Sequence, residues 1–194
     1  MRLDPPIVLS AYRRGAFPMA EEGVIRWFTA DPRGVIPLHE GPDGFHIPGT
    51  LRQIYRQKRF EIRINTAFRR VMSACTEGRQ RTWICPELID AFVKLHEQGH
   101  AHSVEAWRDG ELAGGLYGVS LGGAFCGESM FHYQPEASKV ALVALVERLR
   151  ERGFALLDAQ TRNENMRRFG CIEIPHAEYI RRLEAAMAID ARFD

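Results

Sequence analysis

The chain has 194 residues, 45% of them hydrophobic and 26% charged, and a formal net charge of +1 at pH 7. This suits one domain, or one domain with a small lobe, around a hydrophobic core. The balanced charge excludes a general polycation, so a nucleic acid could bind only through a local basic patch. The sequence has neither an apolar run of membrane-spanning length nor the apolar core of a secretory signal, so we expect a cytoplasmic protein.

The first sixty residues show weak periodicity. Proline, glycine and arginine punctuate "DPRGVIPLHEGPDGFHIPGT", which predicts short strands and turns. The stretch "PGTLRQIYRQKR" predicts a short helix, with Thr50 as the N-cap residue and with Leu51 and Ile54 facing inward. We therefore expect a small N-terminal lobe over residues 1–60 and a main domain over residues 61–194.

The main domain has a clearer plan. "FEIRIN" alternates as a strand, and "TAFRRVMSAC" and "CPELIDAFVKLHEQG" have helical patterns. The runs "HSVEAWRDG", "ELAGGLYGVS" and "AFCGESMF" predict an antiparallel meander with tight turns. A helix over "PEASKVALVALVERLRERG" then leads to the strand "FALLDAQ", which the crossover makes parallel to its predecessor. With a last helix over "HAEYIRRLEAAMA", the predicted fold class is mixed α/β.

Polar residues on two of these strands are out of keeping with their apolar neighbours. A carboxylate at Glu128 must be paired, protonated or reserved for a ligand. Alternation puts Glu128 on one face with Cys126 and Met130, and Asp158 on one face with Gln160. If the crossover makes the two strands neighbours, the three polar residues converge where the strands part, which is where such sheets bind ligands.

A structural explanation exists for each of these residues taken alone. Asp158 could cap a turn, Gln160 could be exposed at a strand end, and Glu128 could pair with a surface arginine. Their joint placement on neighbouring strands favours a site. The glycines of "GGLYG" lie inside the meander and are predicted to let a ligand approach the backbone.

Other kinds of site are poorly supported. A helix break separates His96 from His100 and His102, so turn and cap positions are favoured over a metal site. "GES" is not a G-x-S-x-G elbow, and a carboxylate beside Cys126 would raise the pKa of its thiol. CxxC pairs, P-loops and dinucleotide fingerprints are all missing from the sequence. We expect neither a metal nor a cofactor.

Seven motifs between about Ser10 and Tyr179 carry a family resemblance. They are, in order, "YRRGAFPM", "TWI", "LHEQGHAHSVEAW", "GGLYG", "FCGESMF", "ASKVAL" and "DAQ". Together they closely resemble leucyl/phenylalanyl-tRNA–protein transferases. The resemblance implies a GNAT-like sheet with a small N-terminal lobe that contacts tRNA. It also implies an enzyme that moves Leu, Phe or sometimes Met from aminoacyl-tRNA to the N-terminal Arg or Lys of a protein, marking that protein for degradation.

The resemblance also implies roles for residues. Gln160 would position the attacking amine, Asp158 would fix the amide of Gln160, and Glu128 would receive the acceptor's basic N-terminal residue. The donor side chain would enter a pocket formed by Leu116, Phe125, Met130 and Leu157. Strict alternation puts Phe125 and Met130 on opposite faces, so this pocket requires a bulge near Gly127.

The remaining implied contacts are with tRNA. Tyr12 and Trp83 would stack on the terminal adenosine. A basic patch would bind the acceptor stem, or else is a solvated helix face; it comprises Arg52, Arg56, Lys58 and Arg59. We expect the protein to act as a monomer. The chain departs from many members at Met19, where Trp is common, and at Thr161 and Asn165, where an aromatic residue and a histidine are common.

Two alternatives stay open. A GNAT-type acetyltransferase needs a glycine-rich loop before the crossover helix to cradle a pyrophosphate, whereas "FHYQPEASKVAL" has no glycine and carries a repelling carboxylate. A non-catalytic binder of aminoacyl-tRNA or of basic N-termini would keep the same residues without the reaction.

Overall fold

The computed structural model describes residues 3–77 and 82–194. Its strands within these ranges are β1 (Phe17–Glu21), β2 (Val24–Phe28), β3 (Arg33–Ile36), β4 (Glu61–Ile64), β5 (Ala101–Arg108), β6 (Glu111–Leu121), β7 (Ala124–His132), β8 (Leu156–Gln160) and β9 (Ile172–Ile174). Its helices are α1 (Pro5–Tyr12), α2 (Gly49–Arg56), α3 (Phe68–Ala74), α4 (Pro86–Glu97), α5 (Ala137–Glu151), α6 (Glu164–Arg167) and α7 (His176–Met187). None of these helices has the length and apolar character needed to cross a membrane.

One seven-stranded sheet organises the molecule, in the order β4-β5-β6-β7-β8-β3-β9. Strands β5, β6 and β7 form an antiparallel meander, and β8 pairs parallel to β7 after the α5 crossover. The short hairpin of β1 and β2 forms a separate sheet. The mixed α/β class, the meander and the crossover are confirmed.

Local chemistry explains where several elements begin and end. Helix α4 starts with Pro86 at its first position, where a missing N–H costs nothing, and Gly99 follows it with a φ of +77°. Asp109 and Gly110 form the tight turn between β5 and β6. Their φ angles of 52° and 79° are positive, as a primed turn requires. Gly153, at φ +73°, follows α5.

Two predictions near the N-terminus were wrong. Residues Pro5–Tyr12 form helix α1, where short strands and turns were expected; Pro5 and Pro6 occupy the first turn, which tolerates proline. Thr50 lies inside α2 rather than at its N-cap, which is Pro48. Leu51 is buried and Ile54 is half-buried, as predicted.

The core lies on both faces of the sheet. Helix α5 packs against one face, with Leu116, Phe125 and the C-terminal Phe193 in the same apolar cluster. Helices α1, α3 and α4 cover the other face, where Tyr117 and Cys126 are buried. The predicted lobe boundary at residue 60 stays a prediction, but β3, which precedes it, is hydrogen-bonded between β8 and β9.

Candidate functional site at the parting of two strands

Strands β7 and β8 separate at a defined point. Their parallel pairing runs from Ala124↔Leu156 to Cys126↔Asp158 and goes no further, although both strands continue. The backbones therefore diverge immediately before Glu128 and Gln160. A split between neighbouring strands is a usual place for a ligand in α/β sheets.

A bulge in β7 turns Glu128 into this split. Gly127 pairs with Gly118 and Ser129 pairs with Tyr117, which leaves Glu128 as the extra residue. The bulge predicted near Gly127 is confirmed. A second register shift lies in the β3–β8 pairing beside Gln160. Bulges are common beside active sites because they redirect side chains.

The bulge also corrects a prediction made from strict alternation. Cys126 and Met130 do not share a face, because the extra residue inverts the alternation after Gly127. Cys126 belongs to the cluster under α3 and α4, whereas Met130 packs with Phe125 in the cluster under α5.

Gln160 reaches across the split to Glu128. Its Nε2 donates a hydrogen bond to Oε1 of Glu128 at 2.9 Å. Gln160 has a φ of +60°, and the N–H of Thr161 donates to the carbonyl of Ala159 at 2.6 Å, which closes a γ-turn around Gln160. This conformation is strained for a residue with a side chain, and such strain is often found at functional sites.

Asp158 anchors that turn from below. Its Oδ1 accepts from the backbone N–H of Gln160 at 2.8 Å, so the turn-capping role considered for Asp158 is real. The carboxamide of Gln160, which we expected Asp158 to fix, binds Glu128 instead. Asp158 therefore fixes the main chain of Gln160, and Glu128 fixes its side chain.

Sequence reasoning missed the two residues that hold Asp158. Arg33 donates from Nε to Oδ1 at 2.8 Å and from Nη2 to Oδ2 at 2.6 Å, and Tyr179 Oη donates to Oδ2 at 2.9 Å. Burial lowers the pKa of Arg33, but the hydrogen bonds and charge of Asp158 outweigh burial and raise it overall. The one signal for Arg33 in the sequence is an arginine inside the apolar run "RGVI".

A comparison with Glu105 shows why Glu128 is unusual. Glu105 is fully buried and accepts bonds from the N–H groups of Thr66 and Ala67 and from the side chains of Thr66, Ser103 and Trp107. Its oxygens are saturated, which marks a structural carboxylate. Glu128 is half-buried, and its enclosed Oε2 has no hydrogen bond that meets normal geometry. Glu128 is therefore held by far fewer hydrogen bonds than the structural carboxylate of Glu105.

The environment favours the protonated form of Glu128 while the cleft is empty. Burial is the largest cause and raises the pKa of Glu128 to about 8, with Asp158 also raising it and with Tyr12, Arg33 and Gln160 opposing. Burial and the nearby Glu128 raise the pKa of Tyr12 well above its ordinary value. The hydroxyl of Tyr12 is enclosed beside Glu128 without a hydrogen bond of normal geometry.

A cavity of about 250 Å³ opens at this polar pair, with Glu128 and other polar groups on one part of its wall and apolar side chains on the rest. Leu116, Met130 and Leu157 line it, as predicted from the resemblance. Phe125 does not; it is fully buried and stacks on Phe193, with ring centroids 5.2 Å apart. The cavity is also lined by residues that sequence reasoning missed, namely Ile36, Leu142, Leu145, Asn163 and Met166. Leu142 and Leu145 lie three residues apart on α5, in a helical pattern that is equally typical of ordinary core.

The two aromatic residues predicted to stack on adenosine are placed differently. Trp83 is half-buried at the cavity rim, beside Glu128. Tyr12 is 1% exposed, with its ring edge-on to Phe92 at 6.4 Å, so it has no free face for a base and points its hydroxyl towards Glu128 instead. The stacking role for Tyr12 does not fit this burial.

The basic residues of the predicted tRNA patch lie together on the outside. All four are exposed, on α2 and the turn that follows it: Arg52, Arg56, Lys58 and Arg59. Arg59 donates to Gln57 at 2.7 Å, and Arg52 contacts the carbonyl of Ile47 at 3.4 Å.

The glycines of "GGLYG" on β6 were predicted to let a ligand approach the backbone, but protein atoms fill the space beside them. A Cβ on Gly114 would come within 2.7 Å of Ala137 Cβ, and one on Gly118 within 2.4 Å of the Phe125 ring. These glycines allow close packing, so the prediction that they let a ligand approach the backbone was wrong.

The histidines that were weighed as metal ligands have structural partners. His96 bonds the carbonyl of Ala101 at 2.8 Å, and His102 lies between Asn65 and Ser120, each at 3.1 Å.

Comparison with known proteins gives these features a context. The model of the leucyl/phenylalanyl-tRNA protein transferase family matches residues 40–184, and the model of its N-terminal domain matches residues 1–31. Leucyl/phenylalanyl-tRNA–protein transferase of Herpetosiphon aurantiacus is 52% identical over 99% of this chain and 98% of its own. That of Rubrobacter xylanophilus is 50% identical over the whole of both chains. The solved L-PGS of Bacillus licheniformis, at 15% identity and a TM-score of 0.45 over 73% of this chain and 50% of its own, is too distant to bear on function.

The names of the matching relatives place the chain among the transferases, and the cavity with its neighbouring polar pair is the candidate site of that activity. More particularly, the chain belongs to the leucyl/phenylalanyl-tRNA–protein transferase family. The family resemblance found in the sequence is confirmed.

Proposed function

We propose that this chain moves Leu, Phe or Met from aminoacyl-tRNA to the N-terminal Arg or Lys of a protein, which marks that protein for degradation. The observation that carries the proposal is the apolar cavity beside Glu128 and Gln160, in a chain of this family. The meander, the crossover and the split between β7 and β8 support a GNAT-like architecture for the main domain. We propose that it acts as a cytoplasmic monomer.

The donor's side chain occupies the cavity. Leu116, Met130 and Leu157 surround it with apolar atoms, and Leu142 and Leu145 close it from α5. One methylene changes binding by only about 1–3 kcal/mol, so β-branched Ile and Val are rejected by clash with the walls. In this proposal Trp83, which lines the cavity, meets the terminal adenosine, and the four exposed basic residues on and after α2 bind the acceptor stem.

Glu128 receives the acceptor. A guanidinium or ammonium group beside the carboxyl group of Glu128 stabilises its charged form, so binding of a basic residue releases the proton that Glu128 holds in the empty cleft. A neutral first residue leaves Glu128 without this partner, which explains selection of Arg and Lys.

The reaction needs positioning more than acid–base strength. The neutral α-amine attacks the ester carbonyl carbon; the new C–N bond forms, the C–O bond to the ribose oxygen breaks, and the amine's proton passes to that oxygen or to water. The pKa of an α-amine is about 7.7–8.0, so much of it is already neutral near pH 7.5. Gln160 orients the amine, and good orientation alone can lower a barrier by roughly 7–11 kcal/mol.

The test is a transfer assay read by mass. The protein is incubated with leucyl-tRNA and a peptide that begins with Arg, and then with the same peptide beginning with Gln. A leucyl mass gained only by the first peptide supports the proposal. Tight tRNA binding without transfer would identify a non-catalytic binder, and transfer that needs acetyl-CoA would identify an acetyltransferase. The latter is disfavoured because the segment before α5 has no glycine to cradle a pyrophosphate and carries Glu136 at the N-cap of the helix.

Glu128→Gln tests the acceptor site within the same assay. We expect the KM of the Arg peptide to rise at least about tenfold, because a charge-assisted bond becomes a neutral one, while leucyl-tRNA binding stays within twofold. Glu61→Gln, an exposed acid on the far edge strand β4, is the control and should change neither quantity. An equal loss of tRNA binding in Glu128→Gln would refute the role of Glu128.

A further inference from the structure

We infer that Arg33 is a positioning residue of the transfer reaction, which acts on Gln160 through Asp158. Arg33 is 1% exposed and Asp158 is 0% exposed, so the ion pair is shielded from water. The inference rests on the proposed function, in which Gln160 orients the acceptor amine.

The first step is that the forked guanidinium of Arg33 holds the carboxylate of Asp158 rigidly. Two parallel N–H bonds, at 2.8 and 2.6 Å, hold both carboxylate oxygens in the plane of the guanidinium. The guanidinium is itself held from three sides: Nη1 donates to the carbonyl of Gly15 at 2.9 Å, and the rings of Phe17 and Tyr179 lie 5.0 and 4.3 Å from its central carbon. Asp158 therefore has little freedom to rotate.

The second step is that Asp158 transmits this rigidity to Gln160. Oδ1 of Asp158 accepts one bond from Arg33 and one from the backbone N–H of Gln160. That N–H belongs to the residue at the centre of the strained γ-turn, at φ +60°. Strained conformations persist only where the surroundings hold them, and the two bonds to Oδ1 provide that support. The turn in turn directs the carboxamide to Glu128.

The third step is that only an arginine serves. A lysine is a single-point donor, so it cannot hold both oxygens in one plane while also reaching Gly15. Loss of the fork would let Asp158 rotate and the γ-turn relax, which moves the carboxamide. A misplacement of about 1 Å can reduce a reaction rate by roughly 10²-fold.

The experiment is a double-mutant cycle on Arg33→Lys and Gln160→Ala, using leucyl-tRNA and the Arg peptide. We expect Arg33→Lys to reduce kcat by about 10- to 100-fold, with the KM of the acceptor within threefold. In the Gln160→Ala background, the same change should reduce kcat by less than about threefold, because the group through which Arg33 acts is gone. Equal reductions in both backgrounds would overturn the inference.

Controls separate positioning from folding and from the proposed function. Arg63→Lys changes a matched fork, in which Arg63 binds Glu61 at 2.8 and 2.9 Å and lies over Trp107, but on the exposed far edge of the sheet; its kcat should stay within twofold. If Arg33→Lys does not fold, Tyr179→Phe removes one bond to Asp158 and should lower kcat by about three- to tenfold, again only while Gln160 is present. Any other result for Tyr179→Phe contradicts the inference. Failure of the wild-type chain to transfer leucine would refute the proposed function instead.

Discussion

At the scale of single residues, Glu128 combines two properties that are rarely found together. It is poorly solvated, which raises its pKa to about 8, and one of its oxygens has no hydrogen bond of normal geometry. Glu105, a still more deeply buried acid two strands away, is saturated with donors. The site is therefore recognised by an unmet hydrogen-bonding need rather than by burial alone.

This property predicts how stability depends on pH. The pKa of a glutamate in an unfolded chain is about 4.3, so between that value and about 8 the folded state binds more protons than the unfolded state. The contribution of Glu128 to stability is then complete below pH 4 and is lost as pH rises towards 8. Glu128→Gln has no carboxyl group to ionise and so does not lose this contribution. The free energy of unfolding of the variant, relative to wild type, should therefore increase with pH by up to about 1.4 kcal/mol per pH unit.

Urea unfolding at pH 5 and pH 8 measures the effect. The difference in unfolding free energy between Glu128→Gln and wild type is expected to be larger at pH 8 by a few kcal/mol at most. Glu61→Gln, at an exposed acid that is ionised at both pH values, should show the same difference at each. A pH-independent difference for Glu128→Gln would mean that Glu128 titrates normally.

Single residues also mark the limit of sequence reasoning. Glu128, Asp158 and Gln160 could be found because charged or amide side chains stood out on strongly apolar strands. Arg33 could not, because its strand is four residues long and too short for a pattern, and because its partner is far along the chain. Tyr179 sits on the buried stripe of α7 and looks like ordinary core there.

At the scale of elements, the bulge in β7 decides what the cleft contains. Regular pairing would keep Glu128 within the strict alternation, whereas the extra residue places it at the split and puts Met130 on the same side as Phe125. The need for a bulge followed from the sequence once the pocket residues were assumed. Which residue near Gly127 would be the extra one did not; beside the register shift, Gly118 packs closely against the Phe125 ring.

Gly118→Ala tests that packing. The added Cβ would lie 2.3 Å from the carbonyl of Cys126 and 2.4 Å from the Phe125 ring, so the strand or the ring must move. We expect a loss of about 1–3 kcal/mol in unfolding free energy, measured with urea. Gly49→Ala is the matched control, because Gly49 lies in α2 with nothing within 4 Å of the added Cβ, and it should be neutral or stabilising. Equal effects at both glycines would show that the contact is unimportant.

At the scale of the whole molecule, the sheet contains a strand that no local pattern could place. The meander and crossover were predictable because each pair joins through a short turn or a single helix. Strand β3 instead joins the sheet between β8 and β9, which are more than a hundred residues away. Pairing over such a distance leaves no trace in local periodicity.

The cluster of exposed basic residues on and after α2 predicts how tRNA binding responds to salt. Arg52→Glu combined with Arg56→Glu should weaken leucyl-tRNA binding and lower the slope of log K against log salt by roughly 0.7–0.9 per lost phosphate contact. The affinity for the Arg peptide should not change, since Glu128 lies elsewhere. Binding measured between 50 and 200 mM salt, a range over which phosphate contacts dominate, provides the slope.

The matched control reverses the charge of two arginines on another helix. Arg181→Glu combined with Arg182→Glu alters the net charge by the same amount on α7, where both arginines pair with Glu178. This variant should lose much less affinity. If both double variants weaken tRNA binding to the same degree, the effect comes from total charge, and the patch on and after α2 has no special part.

The long reach of β3 has a consequence for biosynthesis. Arg33 and Asp158 are separated by 125 positions, so a ribosome working at about 5–20 residues per second makes them roughly 6–25 s apart. Until then β3 has neither neighbour, and Asp158 and Gln160 are not yet present in the cleft. An enzyme that adds a residue to the N-terminus of other polypeptides is thus inert until its own β8 has been made.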